Sequence, residues 1–387
     1  MNSSLTKTHF ILEEKKRLEF SQSLFSRLEH LKLPTEKEES FRKFPLGSID
    51  WEELGFDPKA KLTITENKEE SSSKNSISNQ KIDEILGLIK SHLPKDYFTS
   101  VSILKSGRVD VYQCEDGLTK IEESFDGDLA RFLFRVFYVP QGTSSQIHLK
   151  SKSEHGTESL HLQTVFDVFV FEKDSVVEVL DEENLDEDLI QFRTVVVFAK
   201  ENASVKLHHF PFGGFRSKFF LHSHLLGKGA EVTVDGVSAL ANRNLKDLDM
   251  EMHHHADHTS SKISYKAIVT DKSHHVFTGN LIIPPNLKKV VAHQESFNLS
   301  LNKKARAEAN PKLEVLAEDV SCTHGATVGD IDEEQFFYLL SRGLSPEESK
   351  SLLVTAFYGE TVHSIGFHDE IKERLETSIR EILVGGK

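Results

Sequence analysis

Cys322 and His324 stand two residues apart in the run Asp319-Val-Ser-Cys-Thr-His-Gly-Ala-Thr-Val-Gly329. In an extended segment, residues i and i+2 project from the same face. A thiol and an imidazole placed this way can address one soft metal ion or one iron–sulfur centre. Two ligands fall short of the four of a closed zinc site. The alternative is a cysteine packed as a small hydrophobe. The chain also carries 20 histidines. They gather at His208-His209, His222/His224, His253-His254-His255/His258, His274-His275 and His293. His254 and His258 are four apart, which on a helix would make a metal pair. The stretch that follows, Thr259 to Val269, reads as strand, and Glu251 precedes the histidines instead of forming His-Glu-x-x-His. A polar histidine row along one edge of the fold is therefore the expectation. A histidine-rich, metal-dependent enzyme at His253–His258 is the competing reading.

Other catalytic signatures are missing from the sequence. There is no Gly-x-x-x-x-Gly-Lys-Ser/Thr loop and no Gly-x-Ser-x-Gly elbow, and Gly227-Lys-Gly229 reads as a turn between strands. No pair of carboxylates stands out, and the run Asp181 to Asp188 reads as a solvated acidic loop. An incomplete catalytic set favours a scaffold or binding protein over a self-sufficient enzyme. A net charge of −14 speaks against wrapping nucleic acid. No apolar stretch approaches the eighteen residues or so that a membrane span needs, and Met1 to Phe10 has no signal-peptide core. With only Cys114 and Cys322 there is no disulfide framework, which suits a reducing cytoplasm.

The elements that must position these groups fall into three parts. An N-terminal helical region, 1–95, carries Leu24, Leu28 and Leu31 as one apolar stripe and Ile82, Ile85, Leu86 and Ile89 as another. Between them a polar, serine-rich linker spans 66–79. A core of short strands, 96–329, includes Val101–Leu104, Arg108–Tyr112 and Thr194–Phe198. Inside it, Asp174-Ser-Val-Val-Glu-Val, Asn202-Ala-Ser-Val-Lys-Leu and Gly229-Ala-Glu-Val-Thr-Val share one form, with starts 28 and 27 residues apart. A fixed period of this size fits stacked rungs of a β-solenoid, and equally a β-sandwich with regular hairpins. A C-terminal helical domain, 330–387, follows. Acids after Asp332 open one helix, Gly343 stops it, and Ser345-Pro-Glu-Glu348 is a capping box for the next. The face Leu352, Leu353, Ala356 and Phe357 packs on the chain's own core or on a partner.

The run Cys322-Thr-His-Gly-Ala-Thr-Val-Gly329 followed by Ile331-Asp-Glu-Glu-Gln-Phe-Phe-Tyr-Leu-Leu-Ser-Arg-Gly343 resembles the SufB/SufD family of iron–sulfur cluster assembly proteins. Leu33-Pro-Thr35 with Phe44-Pro45-Leu46 is similar to the family's N-terminal motif, with Phe41 where a tryptophan is usual. His258 to Ala267 and Val276-Phe-Thr-Gly279 resemble its core strands. Gly325 in place of a glutamate, and the lack of clustered N-terminal cysteines, resemble the SufD branch. The resemblance implies a mainly β chain: a right-handed parallel β-helix core with N-terminal and C-terminal helical regions. It implies a non-catalytic scaffold subunit of the SufBCD complex, paired with a SufB-like paralogue through the β-helices. A SufC-like ATPase would dock on the C-terminal helices, around 332–358. It also implies that His324, with Cys322 beside it, contributes to a transient iron–sulfur cluster shared with SufB. A reduced flavin is associated with the family's complex, although no flavin motif is present. An open β-helix edge also allows a homodimer when the paralogue is missing.

Overall fold

A computed structural model of the chain describes residues 8–57, 77–125, 130–153 and 160–385. Except for its last three residues, the expected linker at 66–79 lies outside them. In chain order the strands are β1 (Thr8–Ile11), β2 (Asp110–Gln113), β3 (Gly117–Phe125), β4 (Ala130–Val139), β5 (Ser144–Ser153), β6 (His161–Phe171), β7 (Val176–Leu185), β8 (Leu189–Ala199), β9 (Ser204–Gly213), β10 (Arg216–Leu225), β11 (Glu231–Leu240), β12 (Leu245–His254), β13 (Ser260–Val269), β14 (His274–Ile283), β15 (Lys288–Ser300), β16 (Arg306–Val315) and β17 (Asp319–Asp330). Helices α1 (Glu14–Leu28), α2 (Asn79–His92) and α3 (Tyr97–Lys105) precede the main run of strands. Helices α4 (Glu333–Ser341), α5 (Pro346–His363) and α6 (Asp369–Gly385) follow it.

Successive strands alternate between two parallel sheets. One runs β2-β4-β6-β8-β10-β12-β14-β16, with β1 added antiparallel to β2; the other runs β17-β15-β13-β11-β9-β7-β5-β3. This is a parallel β-helix, and it resolves the choice that the repeat left open. The three repeats are the starts of β7, β9 and β11, which lie side by side in register. Their leading residues Asp174, Asn202 and Gly229 sit two positions before the aligned strand starts, all at positive φ (60°, 54° and 74°). His258 and Lys289 hold the same slot one and two rungs later, at 59° and 54°. Each rung turns through one left-handed residue, a conformation that Asn, Asp and Gly reach most readily.

Three apolar cores result. The lumen of the β-helix holds an apolar cluster that includes Phe137, Phe169, Val197, Leu221, Met250 and Leu281. The outer face of the first sheet is covered by the N-terminal helices, whose Phe98 stacks on Phe192 at 3.5 Å. With both faces covered, β6 and β8 are buried at every residue. The N-terminal motif belongs to this layer: Phe41 packs against Phe98 and Phe220, and Phe44 against Phe192. The outer face of the second sheet is covered by α5 and α6, through Val354, Tyr358, Val362, Leu375 and Ile379 on Leu180, Phe210, Val237 and Ile268.

Two expectations are corrected. Val101–Leu104 is not a strand but part of α3, wedged between the N-terminal layer and β4, β6 and β8. Asp96 caps it by accepting from the Thr99 backbone N–H at 2.8 Å, and Ser100 and Ser102 return their hydroxyls to carbonyls four residues back. A helix buried all round shows the same short apolar run as a strand. The acidic stretch at 181–188 is a solvated turn only at its end, 186–188. Asp181, Glu182 and Glu183 lie on β7 and are buried. Glu182 faces the C-terminal helices and pairs with Arg374 and His148. Asp181 and Glu183 face the lumen and pair with the fully buried Arg193, which also holds Asp167. Buried carboxylates need such partners, and each partner comes from elsewhere in the chain.

Candidate functional site

β17 is the last strand of its sheet and β16 the last of the other, so among the described residues the β-helix ends on a rung with no further strand beyond it. Among the described residues the outer edges of both strands bear backbone groups with no further strand to pair with. Leu313, Leu316 and Val328 are exposed there. An edge of this kind is a template for another chain.

The register places the two sequence-predicted ligands on this end. Cys322 aligns with Ala292 and His324 with Gln294, both buried lumen residues of β15. Cys322 and His324 thus continue the lumen-facing columns onto the uncapped rung. Cys322 is half-buried against the lumen core, and burial raises its thiol pKa. His324 is exposed. Thr323, on the opposite face, bonds His293. Gly325 has open space where a side chain would project. The chain therefore offers a soft thiol and an imidazole side by side, open to whatever packs on the end. Cys114, the other thiol, is sealed in the lumen; burial pushes it up to about 12, which makes it unreactive.

The histidine cluster separates into different environments. His254 points inward and bonds Thr259 and Ser261 at 2.7 and 2.9 Å, and His258 occupies the left-handed turn slot. These two do not form a pair. His253 and His255 instead join residues far away in sequence. His222 and His224 on β10 align with Glu251 and His253 on β12. Among the described residues this yields two close groups, His92 with His224 and His255, and His222 with Glu251 and His253. The sequence carried one signal for this: His224 and His253 are one rung apart. His92, at the end of α2, had none.

The C-terminal helices divide their faces. The buried face of α5 and α6 is tied down by polar contacts: Lys266 Nζ donates to the Phe357 carbonyl at 2.8 Å, and the Gly366 N–H donates to Glu178 at 2.6 Å. A Cβ on Gly366 would come within 2.4 Å of that carboxylate. α4 buries no residue, and Phe337, Tyr338 and, on α5, Leu352 are exposed. Asp332 caps α4 through the Gln335 N–H, and Ser345 with Glu348 forms the capping box of α5, as the sequence indicated.

Among the described residues no helix is long and apolar enough to cross a membrane. The family model described as SUF system FeS cluster assembly, SufBD core domain, matches residues 126–357. Curated relatives include the iron-sulfur cluster assembly protein SufD of Escherichia coli K12, 30% identical over 187 residues, 48% of this chain and 44% of that protein. A SufBD family protein of Synechocystis is 33% identical over 129 residues, 33% of this chain and 28% of its own length. One from Staphylococcus epidermidis is 28% identical over 203 residues, 52% of this chain and 43% of its own. The chain thus spans less than half the length of the curated relatives it matches.

Proposed function

The chain belongs to the SufB/SufD family of iron–sulfur cluster assembly proteins, and from that premise we propose that it is a SufD-type scaffold with no catalytic step of its own. It pairs with a SufB-type partner, docks a SufC-type ATPase and holds a nascent iron–sulfur cluster for transfer. The observation that carries this reading is the uncapped end of the β-helix, where Cys322 and His324 follow the lumen columns onto an exposed rung. A partner's end rung supplies the missing edge strands and the remaining ligands. The cluster is cargo here. One imidazole and one thiol from this chain bind it incompletely, and an incomplete set releases it readily.

In this reading α4 and the exposed face of α5 receive the ATPase through Phe337, Tyr338 and Leu352, while the buried face of α5 and α6 passes the motion to the β-helix. ATP hydrolysis belongs to that partner. Without the paralogue, the same edge can close on a second copy. Two unbridged thiols suit the cytoplasm as the working compartment. A wide groove of about 820 Å³, lined by Glu187, Arg243, Asp271, Lys272 and Lys303, offers one aromatic ring, Phe215. That lining does not fit an isoalloxazine ring, and no step of this proposal runs through flavin on this chain.

The test is His324→Ala in the complex co-expressed with both partners. The iron–sulfur absorption recovered on anaerobic reconstitution should fall while partner recovery and melting temperature stay unchanged. Undiminished absorption would remove His324 from the cluster site.

A further inference from the structure

The outer face of the first sheet carries a second group of ligand-type side chains, away from the open end. His224 on β10 is buried, His255 follows β12, and His92 ends α2 in the helical layer that covers the sheet. Each of the three offers one ring nitrogen within 4.8 Å of the others. His224 Nδ1 and His255 Nε2 are already 3.0 Å apart. In tetrahedral zinc sites, bonds of about 2.0–2.1 Å put ligand nitrogens about 3.3–3.4 Å apart. Small rotamer adjustments of the partly exposed His92 and His255 would close the triangle.

A second observation concerns His224 itself. It is 6% exposed, its Nε2 has no hydrogen-bond partner, and its Nδ1 faces only another imidazole. Nε2 lies on the far side of the ring from Nδ1, so an ion belongs on the Nδ1 side, where the only hydrogen-bond neighbour is another imidazole that can share the ion with it. Burial and the neighbouring histidines push His224 down to about 2 and His255 down to about 4. Both imidazoles are therefore neutral, the form that binds metal. The His92 Nδ1 is occupied by the Leu88 carbonyl and the Ser91 hydroxyl, at 3.1 and 2.9 Å, which leaves Nε2 to coordinate.

The surroundings suit a cation. A groove of about 470 Å³ beside the histidines also contains Asp96, Asp249 and Glu251. Glu251 bonds His222 and His253 at 3.0 and 2.8 Å, and the His253 ring stacks on His224 at 4.6 Å. That second triad is closed on itself and supplies negative charge next to the first.

We propose that His92, His224 and His255 form a binding site for one late first-row divalent metal ion, with zinc as the reference ion. Three imidazoles with no thiolate suit zinc, copper or nickel. The fourth position is open to water or to a small ligand entering from the groove. Because His92 belongs to α2 and the other two to the β-helix, the ion fastens the N-terminal layer to the sheet. The site shares no residue with Cys322 or His324, so it stands apart from the cluster-scaffold reading.

The experiment uses the full chain, stripped with EDTA and titrated with zinc by calorimetry and with cobalt(II) by absorption. The expected result is one ion per chain, a tetrahedral cobalt spectrum without thiolate charge transfer, and a melting temperature that rises on zinc addition. Loss of a supporting partner alone costs metal sites about 10–100-fold. His92→Ala and His255→Ala, both away from the buried core, should each weaken zinc by about 100-fold or more and abolish the zinc-dependent rise in melting. The double variant Cys322→Ser/His324→Ala should bind as the parent does. Melting in EDTA reports folding, and His255→Asn serves as the milder variant if alanine lowers it. No stoichiometric binding, binding indifferent to the His92 and His255 changes, or binding lost in the Cys322/His324 variant would each overturn the site.

Discussion

Arg193→Met probes the interior of the β-helix most sharply. Arg193 is 1% exposed and meets three carboxylates: Asp167 at 2.9 Å, Asp181 at 2.9 Å and Glu183 at 2.8 Å. Asp167 keeps Arg135, which donates to it at 2.6 and 2.7 Å, so its charge stays compensated. Asp181 and Glu183 lose their nearest cation. Burial opposes ionisation of both. In the parent protein it prevails at Asp181, raised to about 6, whereas at Glu183 the fields of Arg193, His209 and Lys246 outweigh burial and lower the pKa. Removing one partner of a buried ion pair costs about 3–5 kcal/mol, because a charge is left buried and unpaired. At about 2 °C per kcal/mol for a chain of this size, melting should fall by roughly 6–10 °C. The assay is a far-ultraviolet circular dichroism melt at pH 8 and pH 5. The deficit should shrink at pH 5, where the stranded carboxylates take up protons. Adding Asp181→Asn and Glu183→Gln should restore most of it, since no uncompensated charge remains. A melting shift under about 2 °C at pH 8, or a deficit unchanged by pH and by the compensating pair, would refute the ion network as the source of the interior's stability.

His208 lies between Asp235 and Glu178, at 2.6 and 3.0 Å; burial works against its charge, but these two hydrogen bonds prevail and raise its pKa to about 9. A raised histidine pKa contributes stability that is fully present below the ordinary value near 6.5 and is lost as pH climbs through 9. The urea-unfolding difference between the parent and His208→Gln should therefore be about 3 kcal/mol at pH 6 and fade above pH 9; a difference flat with pH would contradict the pairing. Phe337→Ser with Tyr338→Ser should reduce recovery of the ATPase partner by roughly 30-fold or more, as loss of an interface hot spot does. The melting temperature should hold, because both rings are exposed. Undiminished recovery would move the docking surface off α4.

The β-helix was readable because its turns are local. Asp174, Asn202 and Gly229 recur at the rung period, since each turn needs a left-handed residue. The caps of α4 and α5 were readable for the same reason: Asp332, Ser345 and Glu348 act within one helical turn. What the sequence hid is what a β-helix brings together across rungs. Whether Glu183 is solvated or buried depends on Arg193, in the strand on the opposite wall of the lumen. His224 meets His253 and His255 one rung on, and His92 through a helix that reaches over the sheet. α3 was hidden differently, because a short, mostly apolar run such as Val101–Leu104 has the same pattern in a strand as in a helix buried on all sides. Cys322 and His324 were legible as two residues on one face of a strand, and β17 places them so. Their position on the uncapped rung follows from the register alone.

The most direct measurement is co-expression of the tagged chain with its host's SufB-like and SufC-like proteins, followed by affinity capture and anaerobic reconstitution. Recovery of both partners, with ATPase activity and an iron–sulfur absorption band in the captured complex, is the result predicted for a SufD-type scaffold. Capture of the chain without either partner, and without a cluster band, would contradict it.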